Sequence, residues 1–187
     1  MTLNVLIADD EPIIRMGLTA MLQELGHTVT AATNGREALR MTRRRPFDLA
    51  ILDIKMPYTD GLQAAETLSR TAPLPIIILT AYSERDLVEQ ASDLPIHGYL
   101  VKPVQTEQLA AAIAVARKRF AEAQAQQAEA ETLQQELKRQ KVIDRAKLKL
   151  IETGLTEEEA YRNIQRRARS SRRPMHEIAR AILQEDD

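Results

Sequence analysis

Five short runs of apolar or β-branched residues, at 3–8, 28–32, 49–52, 76–80 and 98–101, recur across the first 103 residues. The segments between them change periodicity. Residues 13–25 place Ile13, Ile14, Leu18, Met21, Leu22 and Leu25 at helical spacing and close on Gly26. Asn34, with Glu37 three residues later, is a capping-box-like start for a helix holding Ala38 and Leu39, and Ser83 precedes a similar segment at 84–91. Successive strands can pair in parallel only through a crossover, so repeated strand–helix units point to a parallel sheet with helices on both faces. Runs such as Ile76-Ile77-Ile78-Leu79 are apolar throughout, as strands covered on both faces should be. The expected fold is α/β, a doubly wound five-stranded parallel sheet.

After Pro103 the strands stop. No Pro or Gly occurs from Thr106 to Arg139, and Ala, Gln, Glu, Leu, Lys and Arg dominate. Leu109, Ile113, Ala116, Phe120 and Ala123 follow the 4-3-4-3 spacing of a coiled-coil seam; Gln127 interrupts it, and Ala130, Leu133 and Leu137 need a shifted phase. Two readings stay open for this stretch, a homodimer seam and a solvated linker helix. The tail then reads as short helices. One covers 142–152 and ends at Gly154; the next starts at a Thr156/Glu159 capping box and carries Ala160, Ile164 and Ala168. Pro174 suits the first turn of the last, where Met175, Ile178, Ala179, Ile182 and Leu183 form an apolar stripe. So short a tail buries little core alone and is expected to lean on the long helix, a partner chain, or both. The expected division is a sheet domain at 1–120, a long helix at 104–138 continuous with that domain's last helix, and a small three-helix all-α domain at 139–187.

Composition narrows the chemistry. Hydrophobic residues make up 44% and charged residues 28%, which excludes a wholly disordered chain. There is no cysteine, hence no disulfide, thiolate nucleophile or Cys-zinc site. No apolar run approaches the length of a membrane helix, and Met1-Thr2-Leu3-Asn4 leads into acids at Asp9, so neither a membrane span nor a signal peptide is expected and the cytoplasm is the expected location. The formal net charge of -1 conceals an asymmetry. Residues 1–116 sum to -4 and residues 117–187 to +3, with +7 concentrated in 138–173. Such a split suggests two tasks, one of them involving a polyanion.

Asp9 and Asp10 end the first strand and Asp53 the third. In an open parallel sheet the carboxyl ends of strands line the crevice where ligands bind. Like charges brought together there are stabilised by a hard divalent cation. Thr80 ends the fourth strand and Lys102 follows the fifth. Carboxylates, a hydroxyl and an ammonium group suit a phosphoryl group: a carboxylate attacks phosphorus, Lys102 pairs with one oxygen and Thr80 donates to another. Taken singly, Asp9-Asp10-Glu11 would pass for a helix cap, Asp53 for a turn residue and Lys102 for a surface lysine. All five at strand ends of one sheet is the informative fact.

These residues resemble the receiver domain of two-component response regulators. The matching segments are Val5-Leu6-Ile7-Ala8-Asp9-Asp10-Glu11, Asp48 through Pro57 with Asp60-Gly61, Ile77-Ile78-Leu79-Thr80-Ala81, and Gly98-Tyr99-Leu100-Val101-Lys102-Pro103. The resemblance covers about residues 1–120. It implies strand order 2-1-3-4-5, a histidine kinase as partner, and Asp53 as phosphoacceptor. It further implies Mg²⁺ held by Asp10 directly, Asp9 through water, Asp53 and the backbone carbonyl of Lys55. Thr80, Ala81 and Lys102 would bind the phosphoryl group, and Thr80 with Tyr99 would form the switch pair. A turnover enzyme of the haloacid dehalogenase type would need a second Asp two residues after the first, but position 55 is Lys, and no G-x-x-x-x-G-K loop occurs. The expectation is no enzyme beyond slow self-phosphorylation and dephosphorylation, whose rate Lys55 and Tyr82 would tune.

In the tail Arg162, Arg166 and Arg169 stand at i, i+4 and i+7, off the Ala160/Ile164/Ala168 stripe. With Arg145, Lys147, Lys149, Arg167, Arg172 and Arg173 they could form one basic face for phosphate contacts. Tyr161 is the sole aromatic after Phe120; it either stacks on an unpaired base or packs in the core. The tail resembles the ANTAR domain, a three-helix RNA-binding module of antitermination regulators. The resemblance runs through Ala146-Lys147, Leu150, Gly154, Thr156, Glu159-Ala160-Tyr161, Ile164-Gln165, Ala168, Ile178-Ala179 and Ile182-Leu183. Leu148 stands where that family often has Gly, and Arg169 where Met is common. The resemblance implies binding to paired hairpins of nascent RNA, with Arg145, Lys147, Tyr161, Arg162, Gln165, Arg166 and Arg169 as contacts, and an indirect effect on RNA polymerase. The expected function is a phosphorylation-controlled response regulator that binds hairpin RNA to cause antitermination. The alternatives are a DNA-binding response regulator and a protein-binding phosphorelay adaptor.

Overall fold

A computed structural model of the chain describes residues 1–81 and 94–184. The expected helix at 84–91, its Ser83 start and Tyr82 lie outside the described residues. Within them the order is β1 (Asn4–Ala8), α1 (Pro12–Glu24), β2 (Thr28–Ala32), α2 (Gly35–Thr42), β3 (Leu49–Asp53), α3 (Gly61–Thr71), β4 (Ile76–Thr80), β5 (Gly98–Val101), α4 (Thr106–Glu152), α5 (Glu157–Ser171) and α6 (Met175–Gln184). All strands pair in parallel in the order β2-β1-β3-β4-β5, with Ala8 opposite Leu52, Asp53 opposite Leu79 and Thr80 opposite Val101.

The period-2 alternation of side chains sorts the strands' apolar residues onto two faces. Val5, Ile7, Leu49, Ile51, Ile77 and Leu79 pack against Leu18 and Leu22 of α1 and Leu109, Ile113 and Ala116 of α4. Leu6, Ala8, Ala50, Leu52, Ile76 and Ile78 pack against Ala38 of α2 and Ala64, Ala65 and Leu68 of α3. Burial of each such Leu or Ile contributes roughly 1.5–3 kcal/mol. Both faces being covered is the reason β3 and β4 are buried from end to end.

Contacts divide the chain into a unit at Met1–Gln124 and a second at Ala125–Asp187. Helix α4 differs from expectation. It runs unbroken for 47 residues, so the short helix expected at 142–152 is its final stretch. The physical reason is local: nothing between 106 and 152 breaks a helix, and the first residue that does is Gly154, at φ +100. Leu109, Ile113 and Ala116, expected to open a coiled-coil seam, are instead core residues of the first unit. Residues 121–141 are exposed throughout, Leu133 and Leu137 among them.

The second unit has its own small core. Ala146 of α4, Ile164 and Ala168 of α5, and Ile178, Ala179 and Ile182 of α6 are buried together, flanked by Val142, Ile143, Leu150, Met175 and Leu183. The tail therefore does lean on the end of the long helix. The expected capping box starts α5: Glu159 N donates to Thr156 Oγ1 at 3.3 Å, and Thr156 N to Glu159 Oε2 at 2.9 Å. At α2 the cap is Asn34, whose Oδ1 accepts from Glu37 N at 2.9 Å, but the Glu37 carboxylate reaches Thr33 rather than Asn34.

Candidate functional site

Strands β1, β3 and β4 end side by side, and each carries a polar residue at or just past its last position. Asp9 is fully buried, Asp53 is 5% exposed and Thr80 5% exposed, while Asp10 faces solvent. One carboxylate oxygen from each of Asp9, Asp10 and Asp53 lies within 4.8 Å of the others. Lys102, just past β5, reaches into this group. Its Nζ stands 2.5 Å from Asp53 Oδ1, 2.8 Å from Asp9 Oδ2 and 3.7 Å from Glu11 Oε1. Burial would lower the lysine's pKa, but its pairing with Asp53 and Asp9 outweighs that and holds it above the ordinary value.

The backbone around the acids is fixed by further contacts. Asp9 Oδ1 accepts from Glu11 N at 2.8 Å, and Arg15 Nη1 donates to the Asp9 carbonyl at 2.7 Å. Gly61 N donates to Ile54 O at 3.0 Å, closing the turn after β3. A Cβ on Gly61 would lie 2.0 Å from Asp53 O, so only glycine permits this approach. Asp60 caps α3, its Oδ1 accepting from Gln63 N at 2.7 Å. Lys55 is exposed in the same turn, and Thr80 Oγ1 donates to Ala81 O at 3.0 Å. Tyr99 sits on β5 with 37% exposure, its phenol pushed up by partial burial.

Three carboxylates thus meet one ammonium while Asp10 stands beside two of them, and the excess of negative charge suits a cation. Asp9 Oδ2 is buried, and the Lys102 ammonium is the one charge that meets it among the described residues. A set of hard carboxylate oxygens, more numerous than the single lysine can balance, fits a hard divalent ion better than a soft one. A carboxylate held beside a lysine and a hydroxyl can also act as an oxygen nucleophile toward phosphorus.

On α5 the residues expected to contact RNA are arranged as their spacing required. Arg162, Arg166 and Arg169 are exposed opposite buried Ala160, Ile164 and Ala168; Gln165 is half-buried, and Tyr161 is exposed rather than in the core. Arg162 pairs with Glu158 at 2.5 Å, and Arg145 is exposed on α4. Two lysines of the expected basic face are engaged within the unit. Lys147 Nζ meets Glu157 Oε1 at 2.8 Å, and Lys149 Nζ donates to Ile182 O at 2.9 Å, near the end of α6 where carbonyls lack helical partners. Sequence spacing also missed Asn163. With Gly154, Leu155, Glu159, Arg162 and Arg166 it lines a groove of about 610 Å³, and its Oδ1 is buried without a hydrogen bond.

Residues 5–114 match the family described as the response regulator receiver domain, and residues 131–183 match the ANTAR domain. The chain is a response regulator. It is 42% identical over 184 residues to the transcriptional regulatory protein PdtaR of Mycobacterium tuberculosis, spanning 97% of this chain and 89% of that one. Over 115 residues it is 44% identical to the positive alginate biosynthesis regulatory protein of Pseudomonas aeruginosa, covering 59% of this chain and 46% of that protein. A receiver domain protein from Clostridium thermocellum superposes with TM-score 0.58 at 30% identity, over 62% of this chain and 94% of the other. These families are regulatory rather than catalytic. The acidic pocket of this response regulator lies in the receiver, the kind of site where receivers bind Mg²⁺. The ANTAR match begins within α4, ahead of the basic segment. Among the described residues no helix is long and apolar enough to cross a membrane.

Proposed function

We propose that this response regulator is a phosphorylation-controlled, RNA-binding antiterminator. A histidine kinase presents a phosphohistidine; a carboxylate oxygen of Asp53 attacks phosphorus as the P–N bond to the histidine breaks, leaving an aspartyl phosphate. Lys102 pairs with one phosphoryl oxygen, while the Thr80 hydroxyl and the backbone N–H of Ala81 donate to another. Asp10, Asp53 and the Lys55 carbonyl would hold Mg²⁺ directly and Asp9 through water, and the ion would offset the oxyanions. Losing Lys102 to the phosphoryl group leaves Asp53 differently paired, and Thr80 and Tyr99 carry that change to the β4–β5 side of the receiver. The tail then binds paired RNA hairpins through Arg145, Lys147, Tyr161, Arg162, Gln165, Arg166 and Arg169, and RNA polymerase reads through the terminator that no longer forms. A homodimer through α4 would present two tails to two hairpins, and two linked weak sites bind far more tightly than one.

The observation that carries the reading is a buried Asp53 with an ammonium 2.5 Å away, in one chain with an ANTAR domain. The relative from Mycobacterium tuberculosis, a transcriptional regulatory protein by its name, supports the transcriptional role. The test titrates a dual-hairpin RNA with and without beryllofluoride. Tighter binding is expected for the treated wild type and not for Asp53→Asn. Equal affinity for the treated pair would sink the switching claim.

A further inference from the structure

Five arginines fall within ten residues of the receiver, at 36, 40, 43, 44 and 45, against a single acid, Glu37. The unit around them is net negative, yet this segment alone carries +4. All five are exposed. Arg36 and Arg40 stand at i and i+4 on one arc of α2, away from buried Gly35 and Ala38; Arg43, at i+7, caps the helix, and Arg44 lies in the turn that follows, its N–H donating to Met41 O at 3.0 Å. The Arg43 cap has αR geometry, which carries the spiral through that position.

Little in the fold uses these charges. The Glu37 carboxylate is taken by the Thr33 amide and hydroxyl and meets Arg40 at 3.4 Å. Arg45 donates to Thr30 Oγ1 and lies over the Phe47 ring at 5.0 Å. Arg43 and Arg44 meet no carboxylate among the described residues. A helix C-terminus favours cations, but only the last turn gains from it, and Arg36 stands at the other end.

Tyr58 extends the stripe. The Arg36 guanidinium lies 5.2 Å over its ring, and Gly35 N donates to Thr59 O at 3.2 Å, which ties this turn to the start of α2. Tyr58 is 77% exposed, so it contributes almost nothing to the core, and its φ of +70 is a backbone region that side chains disfavour. Neither burial nor backbone preference explains a tyrosine there. An exposed ring beside a row of guanidinium forks is the combination that tracks an unpaired strand: forks to phosphates, ring to a base.

We propose that Tyr58 with Arg36, Arg40, Arg43 and Arg44 forms a second nucleic-acid surface, on the receiver, that binds single-stranded RNA. The choice of RNA over other polyanions rests on the proposed function; the surface itself does not. An acidic protein would use the arginines but would leave the exposed ring without a partner.

The test uses the full chain with two probes measured separately, a short unstructured oligoribonucleotide and the dual-hairpin RNA. Tyr58→Gly is expected to weaken the oligoribonucleotide about tenfold while thermal stability stays equal or rises. Arg43→Ala with Arg44→Ala should weaken it and lower the salt slope by about 0.7 for each phosphate that is no longer neutralised. Neither variant should change hairpin affinity, whereas Arg162→Ala with Arg166→Ala should do the converse. Wild-type oligoribonucleotide binding by both α2-side variants would overturn the proposal, as would its loss in the tail variant alone. Equal competition by polyglutamate would reassign the surface to an acidic protein and overturn it too. Tyr58-dependent oligoribonucleotide binding in a chain that ignores hairpins would support this surface and overturn the hairpin reading instead.

Discussion

Lys102 Nζ lies 2.5 Å from Asp53 Oδ1, so the residue proposed to accept the phosphoryl group is already paired with the cation that would receive its oxygens. The same ammonium meets buried Asp9 at 2.8 Å. Lys102→Met removes the ammonium that pairs with both Asp53 and Asp9. Breaking a buried ion pair from one side costs about 3–5 kcal/mol. We expect a loss of that order in urea unfolding with a chelator present. Mg²⁺ should recover part of it, because a divalent ion offsets the same carboxylates. An identical loss with and without Mg²⁺ would mean that these acids hold no cation.

Gly61→Ala tests the turn that shapes the pocket. The added Cβ would lie 2.0 Å from Asp53 O and 2.8 Å from Asp53 C, both backbone atoms that have no rotamer to escape into. Overpacking of this kind typically costs about 1–3 kcal/mol. The variant should unfold at lower temperature and also accept phosphoryl groups from a small donor more slowly, since Asp53 itself must shift. Gly17→Ala, where an added Cβ meets nothing within 4 Å, is the control and should do neither.

Such close approaches mark where the sequence stops being readable. The strands were legible because double-sided burial leaves uninterrupted runs such as Ile76–Thr80, too short for a buried helix and rich in β-branched residues. The pocket was legible because Asp9, Asp53, Thr80 and Lys102 all sit at strand ends, and a parallel sheet brings strand ends together. Lys149 looked like part of a basic face because its partners, Ile182 O and Leu183 O, lie 33 and 34 residues further along the chain. Spacing along one helix cannot reveal a bond to another. Leu109, Ile113 and Ala116 show the spacing of a coiled-coil seam for a related reason: a stripe that packs on a sheet and one that packs on a second helix have nearly the same period.

His97 should make the receiver's stability depend on pH. Its ring is buried, its Nδ1 accepts from Ile76 N at 3.2 Å, and it stands edge-to-face with Phe120, the ring centroids 5.2 Å apart. Burial first, and then the charge of Arg119, hold its pKa below the ordinary 6.5. The unfolded chain therefore takes up a proton before the folded one does, and acidification favours unfolding. The contribution is complete above about pH 6.5 and declines as pH falls from there toward the folded value. Urea midpoints measured across that window should drop for the wild type, and His97→Gln should remove part of the slope. A slope that the substitution leaves unchanged would assign the effect to other groups.

Arg166 and Lys149 should separate, although both belong to the same basic segment. Arg166 is exposed on α5 and borders the groove that holds Asn163, so Arg166→Ala leaves the core intact. Its stability should stay within about 0.5 kcal/mol of wild type. Its hairpin affinity should fall, with the salt slope reduced by roughly 1 if the arginine meets a phosphate. Lys149 is half-buried, and its Nζ donates to two carbonyls at the end of α6. Lys149→Met leaves those carbonyls without their charged donor, which costs about 1–3 kcal/mol. Thermal unfolding should report that loss, and any fall in RNA affinity should recover at temperatures where the tail remains folded. The reverse result, a stable Lys149→Met that no longer binds and an unstable Arg166→Ala that still does, would place the RNA on the α4 side of the tail instead of on α5.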